Sequence, residues 1–149
     1  MTRPDAWRRA IVCAAVVVTL DQVTKQLADH GIKRGDHVNI FFGIDLTNTR
    51  NTGVAFGALA GGGALITALT LVALGVLVVY FAFRATKQWL WLPVGMVVGG
   101  ALGNLADRAR DGAVIDFFDP VLWPAFNLAD AAVVLGILGL LYIVDTSRE

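Results

Sequence analysis

The sequence is short of most things that a soluble enzyme or a nucleic-acid-binding domain relies on. Charged residues fill only 16% of its 149 positions, against about a quarter in an ordinary soluble domain. Neither sign dominates, because twelve Lys and Arg face twelve Asp and Glu, so no basic field exists to recruit nucleic acid. One cysteine, Cys13, excludes an internal disulfide framework. The two histidines, His30 and His37, sit in a polar stretch and read as solvated. No Cys or His set has metal-ligand spacing. What the chain does have is apolar residues: 56% of the total, with a mean hydropathy of +0.67. The length allows one domain, spanning 1–149, and the composition makes it a membrane protein.

The uncharged runs predict four spans. No charged residue occurs from Asn51 to Phe83, and Ala64–Phe83 alone is long enough to cross about 30 Å of hydrocarbon. Gln88–Ala106 is a second such run, interrupted by Pro93 and several glycines, which membrane helices tolerate. The two end runs stop at Asp21 and start after Asp130, so each reaches full length only by taking in flanking residues. The expected spans are about 7–27, 64–83, 88–106 and 126–144. Both end spans then carry a carboxylate near the membrane boundary.

Arg3, Arg8 and Arg9 before a short apolar stretch resemble a signal peptide. No A-x-A site follows, however, and Asp21-Gln22-Val23-Thr24-Lys25 continues at helical spacing, so an uncleaved first span is expected. Four spans put both termini on one side. Arg3, Arg8, Arg9, Arg84, Lys87 and Arg148 lie on that side in short segments close to the spans. Lys25, Lys33, Arg34, Arg50, Arg108 and Arg110 are spread through the longer outer connections. The positive-inside rule therefore places the termini in the cytoplasm.

The first outer connection, about Ala28–Gly63, is too long for a simple turn. His37–Leu46 is β-branched and aromatic, and Thr47–Gly53 is rich in turn formers. Together they predict a small extracytoplasmic β element between the first two helices. Gly61-Gly62-Gly63 gives a flexible entry to the second span.

Polar groups at membrane depth usually have a partner or a task, and five clusters qualify. Asp21 and Lys25 share a helix face at i,i+4, which an ordinary salt bridge at a helix exit also explains. Asn51-Thr52-Gly53-Val54-Ala55-Phe56-Gly57 could bring backbone groups to an extended ligand, or could be a plain turn. Gly95, Gly99 and Gly103 make a smooth stripe for close helix packing. That stripe leaves Asn104, Asp107 and Arg108 unexplained. Asp119 before Pro120 reads as turn chemistry, whereas Asp116 lies among Val114, Ile115, Phe117 and Phe118 and should be partly desolvated. Asn127 and Asp130 fit an N-cap and its N3 partner, although Asp130 also falls within the last span.

Two carboxylates in low dielectric near one membrane face cannot both ionise when close. The anionic one can deprotonate water, and the neutral one can bond the carbonyl under attack. That is aspartic-peptidase chemistry. Cys13 lies mid-span and the histidines are far from the clusters in sequence, so no Ser-His or Cys-His alternative exists. The residues alone leave Asp107 open as a member of the pair.

Asp21-Gln22-x-x-Lys25, Asn51–Phe56, Gly99–Arg108, Val114–Phe117 and Phe126–Asp130 resemble, in order, the blocks of the bacterial lipoprotein signal peptidases (signal peptidase II). The resemblance covers about residues 7–144. It implies an all-α membrane protein of four transmembrane helices, working as a membrane aspartic endopeptidase in the bacterial inner membrane. Its substrate would be a diacylglyceryl-modified prolipoprotein, cleaved before the lipidated cysteine. The resemblance implies Asp116 and Asp130 as the catalytic pair. It assigns Asp21, Lys25, Asn51, Gly53, Asn104, Arg108, Asn127 and Ala129 to supporting the site or lining the substrate path. No metal or organic cofactor and no nucleic acid is implied; membrane lipids surround a chain that acts as a monomer. Val54 and Gly57 stand where Ala and Ser are commoner in the family. Two rivals remain: a small transporter, which calls for a mid-span acid and a repeated half, and a structural adaptor, which would leave both aspartates replaceable.

Overall fold

The computed structural model describes residues 1–53, 62–120 and 122–146. Four helices and three strands follow one another: α1 (Arg3–Gly31), β1 (His37–Phe41), β2 (Ile44–Asn51), α2 (Gly62–Arg84), α3 (Trp91–Asp111), β3 (Val114–Pro120) and α4 (Leu128–Asp145). Thr2 caps α1 by accepting from the Asp5 N–H, with a proline in the first turn where its missing N–H costs nothing. Gly112 ends α3 in the left-handed region at φ 70°, the usual stop for a helix.

α1, α2 and α4 are each long and apolar enough to cross a membrane. α3 is as long as a span but crowds Asp107, Arg108, Arg110 and Asp111 into its last turns. Leu69, Val72, Val76, Leu138 and Leu141 point outward and exposed, a surface that suits lipid rather than water.

α3 is the central helix, packing on α1, α4 and α2. The glycine stripe explains the closeness. A Cβ on Gly99 would lie 2.7 Å from Val17 Cβ and 2.8 Å from the Ala14 carbonyl oxygen, so only glycine lets α1 approach this near. At the end of the bundle away from the sheet, Ala6, Ala10, Phe81, Ala85, Leu90 and Val94 form the apolar core. The Trp7 and Phe81 rings meet edge to face there at 4.8 Å, a geometry worth about 1 kcal/mol beyond area burial.

The small sheet differs from the one the sequence predicts. The β-rich stretch His37–Leu46 is divided between β1 and β2, because the chain turns at Phe42-Gly43, with Gly43 at φ 76°. The turn-rich stretch Thr47–Asn51 is instead strand, the second half of β2. Thr47 and Asn48 are buried there, hydrogen-bonded to Asp36 O and Ile32 O. Tertiary pairing has overridden local turn preference. The sheet also draws on a second connection, since its antiparallel order is β1-β2-β3 and β3 follows α3. Asp119 lies in β3, opposite Asp45 and 3.2 Å from His37 Nδ1, rather than in a turn.

Helix boundaries also differ from the expected spans. α1 runs on to Gly31, so the first connection begins later than Ala28. The third helix starts at Trp91 rather than Gln88, because Trp89 takes φ 64° and interrupts the turn before it. Gly62 opens α2, while Val54–Gly57 and Gly61 lie outside the described residues.

Candidate active site

The β2–β3 register builds the site. Thr49 faces Asp116 and Asn51 faces Val114 across the ladder, which brings residues far apart in sequence onto one edge. Asn51 Nδ2 donates to Asp116 Oδ2 at 3.0 Å. Its own Oδ1 accepts from the Gly53 N–H at 2.8 Å, and this fixes which way the amide points. Gly53 sits at φ 80°, a conformation that suits glycine. Thr49 Oγ1 donates to the Asp116 carbonyl at 3.2 Å.

Beyond β3 the chain folds back. Phe126 N donates to Phe118 O and Phe118 N donates to Phe126 O, with the two rings 5.0 Å apart. This return sets Asn127 beside Asp116, where Asn127 Nδ2 donates to Asp116 Oδ1 at 2.8 Å. Asn127 also caps α4: its Oδ1 accepts from the Asp130 N–H at 2.9 Å. Asp130 Oδ2 accepts the Asn127 N–H at 3.2 Å in return. The helix-start reading holds, and the same Asn127 side chain also reaches Asp116. Asn104 Nδ2 donates to Asp130 Oδ1 at 2.8 Å. Each carboxylate thus accepts two N–H donors. Burial pushes the Asp116 carboxyl up to about 6; the Asn51 and Asn127 donors oppose that rise and the charge of Asp130 adds to it.

Asp21, Lys25 and Asp107 form the foundation. Lys25 Nζ lies 2.8 Å from an oxygen of each carboxylate, and all three groups are buried. The Asp21–Lys25 pair is therefore no exposed helix-exit bridge. Lys25 Nζ also donates to Asn104 Oδ1 at 2.8 Å. Asp21 Oδ1 accepts the Ala129 N–H at 2.9 Å, which fixes where α4 begins. Asp107 is saturated by Lys25, Gln22, Arg110 and the Ile115 N–H. It braces the start of β3 and makes no hydrogen bond to Asp116 or Asp130.

A cleft of about 400 Å³ between α2, α3 and α4 exposes Asp130, Asn104 and Arg108 to apolar walls such as Ile66, Val97 and Val133. A second space of about 380 Å³, lined by Trp123, Phe126 and Leu135, reaches Asp130 from the other side. The resemblance assigns Arg108 to supporting the site or lining the substrate path. It lines the cleft, and no hydrogen bond or ion pair to its guanidinium occurs among the described residues.

The sequence reading gave no role to Thr49, Gln22 or Arg110. Gln22 was visible only as a letter inside the first block, yet its Nε2 donates to Asp21, Gly103 O and Asp107. Thr49 could have been found only by pairing β2 with β3. Val54, Ala55, Phe56 and Gly57 of the second block lie outside the described residues.

The model of the family Signal peptidase (SPase) II matches residues 13–145. The chain belongs to the signal peptidase II family. A "Lipoprotein signal peptidase" from Pelotomaculum thermopropionicum is 43% identical over 130 residues, covering 84% of each chain. One from Halothermothrix orenii is 38% identical over 126 residues, covering 84% of this chain and 87% of its own. A solved bacterial membrane enzyme superposes with a TM-score of 0.79 at 31% identity, over 91% of both chains. Membership in the signal peptidase II family and that likeness make this a membrane enzyme fold with a small antiparallel sheet.

Proposed function

We propose that the chain is a single-domain aspartic endopeptidase of the bacterial inner membrane that removes the signal peptide of diacylglyceryl-modified prolipoproteins. Cleavage falls just before the lipidated cysteine, and Asp116 and Asp130 are the catalytic pair. The observation that carries the pair is its wiring. Asn127 binds both residues, each carboxylate holds two N–H donors, and Asp130 lines an apolar cleft.

One carboxylate starts ionised and takes a proton from water as the water oxygen attacks the scissile carbonyl. The other starts protonated and hydrogen-bonds the carbonyl oxygen, stabilising the charge that develops there. When the carbon–nitrogen bond breaks, the proton taken from water passes to the amide nitrogen, which leaves as an amine. The apolar walls of the cleft suit a signal helix and acyl chains arriving sideways from lipid.

In this reading all four helices span the bilayer, with the termini cytoplasmic and the sheet on the outer face. α3 crosses with its charged last turns among the buried pairs and the sheet. The enzyme works as a monomer and needs no cofactor.

The test is cleavage of a diacylglyceryl-modified prolipoprotein by purified protein, beside Asp116→Asn and Asp130→Asn. Wild type should cut before the lipidated cysteine, and both folded variants should lose at least about 10³-fold in turnover. Activity retained in Asp116→Asn would refute the pair. An intact substrate beside folded wild type would refute the peptidase reading and favour a transporter.

A further inference from the structure

Lys25 is buried with two carboxylates, yet its third contact goes to Asn104 rather than to another charge. An ammonium group can only donate. Asn104 must therefore turn its oxygen toward Lys25, where Asn127 Nδ2 also donates at 3.2 Å. The Asn104 NH2 is left facing Asp130.

We propose that Lys25 is a positioning residue that locks the Asn104 amide as a donor and so makes Asp130 the aspartate that begins the reaction ionised. Resting on the aspartic-peptidase reading above, it adds the division of labour within the pair. With the amide reversed, Asn104 would present an oxygen to Asp130 and call for a proton there.

Three further features of Asp130 act in the same direction. Asp130 sits at N3 of α4, where the helix N-terminus favours an anion. Its second oxygen is bonded by the Asn127 N–H. From α3, the Arg108 guanidinium shares its cleft. The opposing group is Asp116 on β3, which keeps the proton within an apolar strand. Asp21 and Asp107 lie behind Lys25 and are paired with it, and Asp21 also accepts the Ala129 N–H one residue before Asp130.

Removing Lys25 alone would strand two buried carboxylates and endanger the fold. The double variant Lys25→Met/Asp107→Asn removes one charge of each sign and leaves the local charge as it was. Lys25→Gln/Asp107→Asn does the same but returns an N–H donor to Asn104. In the methionine variant the acid limb of kcat/KM should move to higher pH by about one pH unit, a tenfold change in proton affinity. kcat should fall about tenfold while KM stays. The glutamine variant should restore most of both. The same order should appear without substrate, in the pH at which the infrared band of a protonated carboxyl disappears.

A folded methionine variant with the wild-type acid limb would overturn the proposal, whatever its kcat, because loose packing alone lowers turnover without moving that limb. Glutamine and methionine variants behaving alike would also overturn it. The infrared titration separates this outcome from failure of the peptidase reading, since it needs no cleavage.

Discussion

Asn127 places its Nδ2 2.8 Å from Asp116 Oδ1 and in doing so ties the first turn of α4 to β3. The same side chain caps the helix that carries Asp130. Stability and chemistry are therefore joined at Asn127 and separable at its neighbour Asn104, which caps nothing.

Asn104→Ala should lower turnover by about 10²-fold, the scale of a lost oriented donor, and cost about 1 kcal/mol of stability. Asn127→Ala should lower turnover similarly and also lose the cap, for about 1 kcal/mol more in melting. Cleavage assays beside thermal unfolding in micelles check both. Full activity at wild-type melting in the two variants would contradict the site geometry.

Asp116 gives a pH signature. Its carboxyl holds its proton up to about 6 in the folded chain against an ordinary 3.8, so folding favours the protonated form. That contribution is fully present below about 3.8, is lost as pH rises to about 6, and amounts to at most about 3 kcal/mol. Melting temperature should decline through that window in wild type and stay level in Asp116→Asn. Cleavage should likewise decline once pH passes about 6, as the pair loses its shared proton.

Arg108 lines the cleft, and its guanidinium has no hydrogen-bonding partner among the described residues. Arg108→Gln should leave melting unchanged and raise KM roughly tenfold, the worth of one charge-assisted bond to substrate. Unchanged KM beside a lowered melting point would assign the guanidinium to structure instead.

Gly99 and Gly75 make an internal control. Gly99→Ala should destabilise the α1–α3 seam by about 1–3 kcal/mol, because its Cβ would meet Val17 and Ala14. Nothing lies within 4 Å of a Cβ at Gly75, so Gly75→Ala should be neutral or stabilising by up to about 1 kcal/mol. Unfolding curves of the two variants settle the comparison.

Much of this architecture is legible before folding because lipid simplifies the code. Uncharged runs mark the helices, and carboxylates interrupting them mark the site. The five sequence blocks include Asp116, Asp130, Asn104, Asn51 and Asn127, whose side chains the structure connects by hydrogen bonds. What stayed hidden was pairing. Thr47–Asn51 has the composition of a turn and becomes strand only because β3 lies beside it. Asp107 and Asp116 look equally eligible in sequence. Only the contacts of Asp107 with Lys25, Arg110, Gln22 and the Ile115 N–H show that it has no oxygen to spare. The idle guanidinium of Arg108 could not be foreseen either, since sequence shows which groups are present and not which are satisfied.

The site also has a chronology. Its parts come from α1, β2, α3, β3 and α4, with Asp130 in the first turn of the last of these. A ribosome that has delivered three helices has delivered Lys25, Asn51 and Asn104 but neither aspartate of the pair. On the proposed pairing of Asp116 with Asp130, the hydrolytic centre is complete only once the last helix is in place.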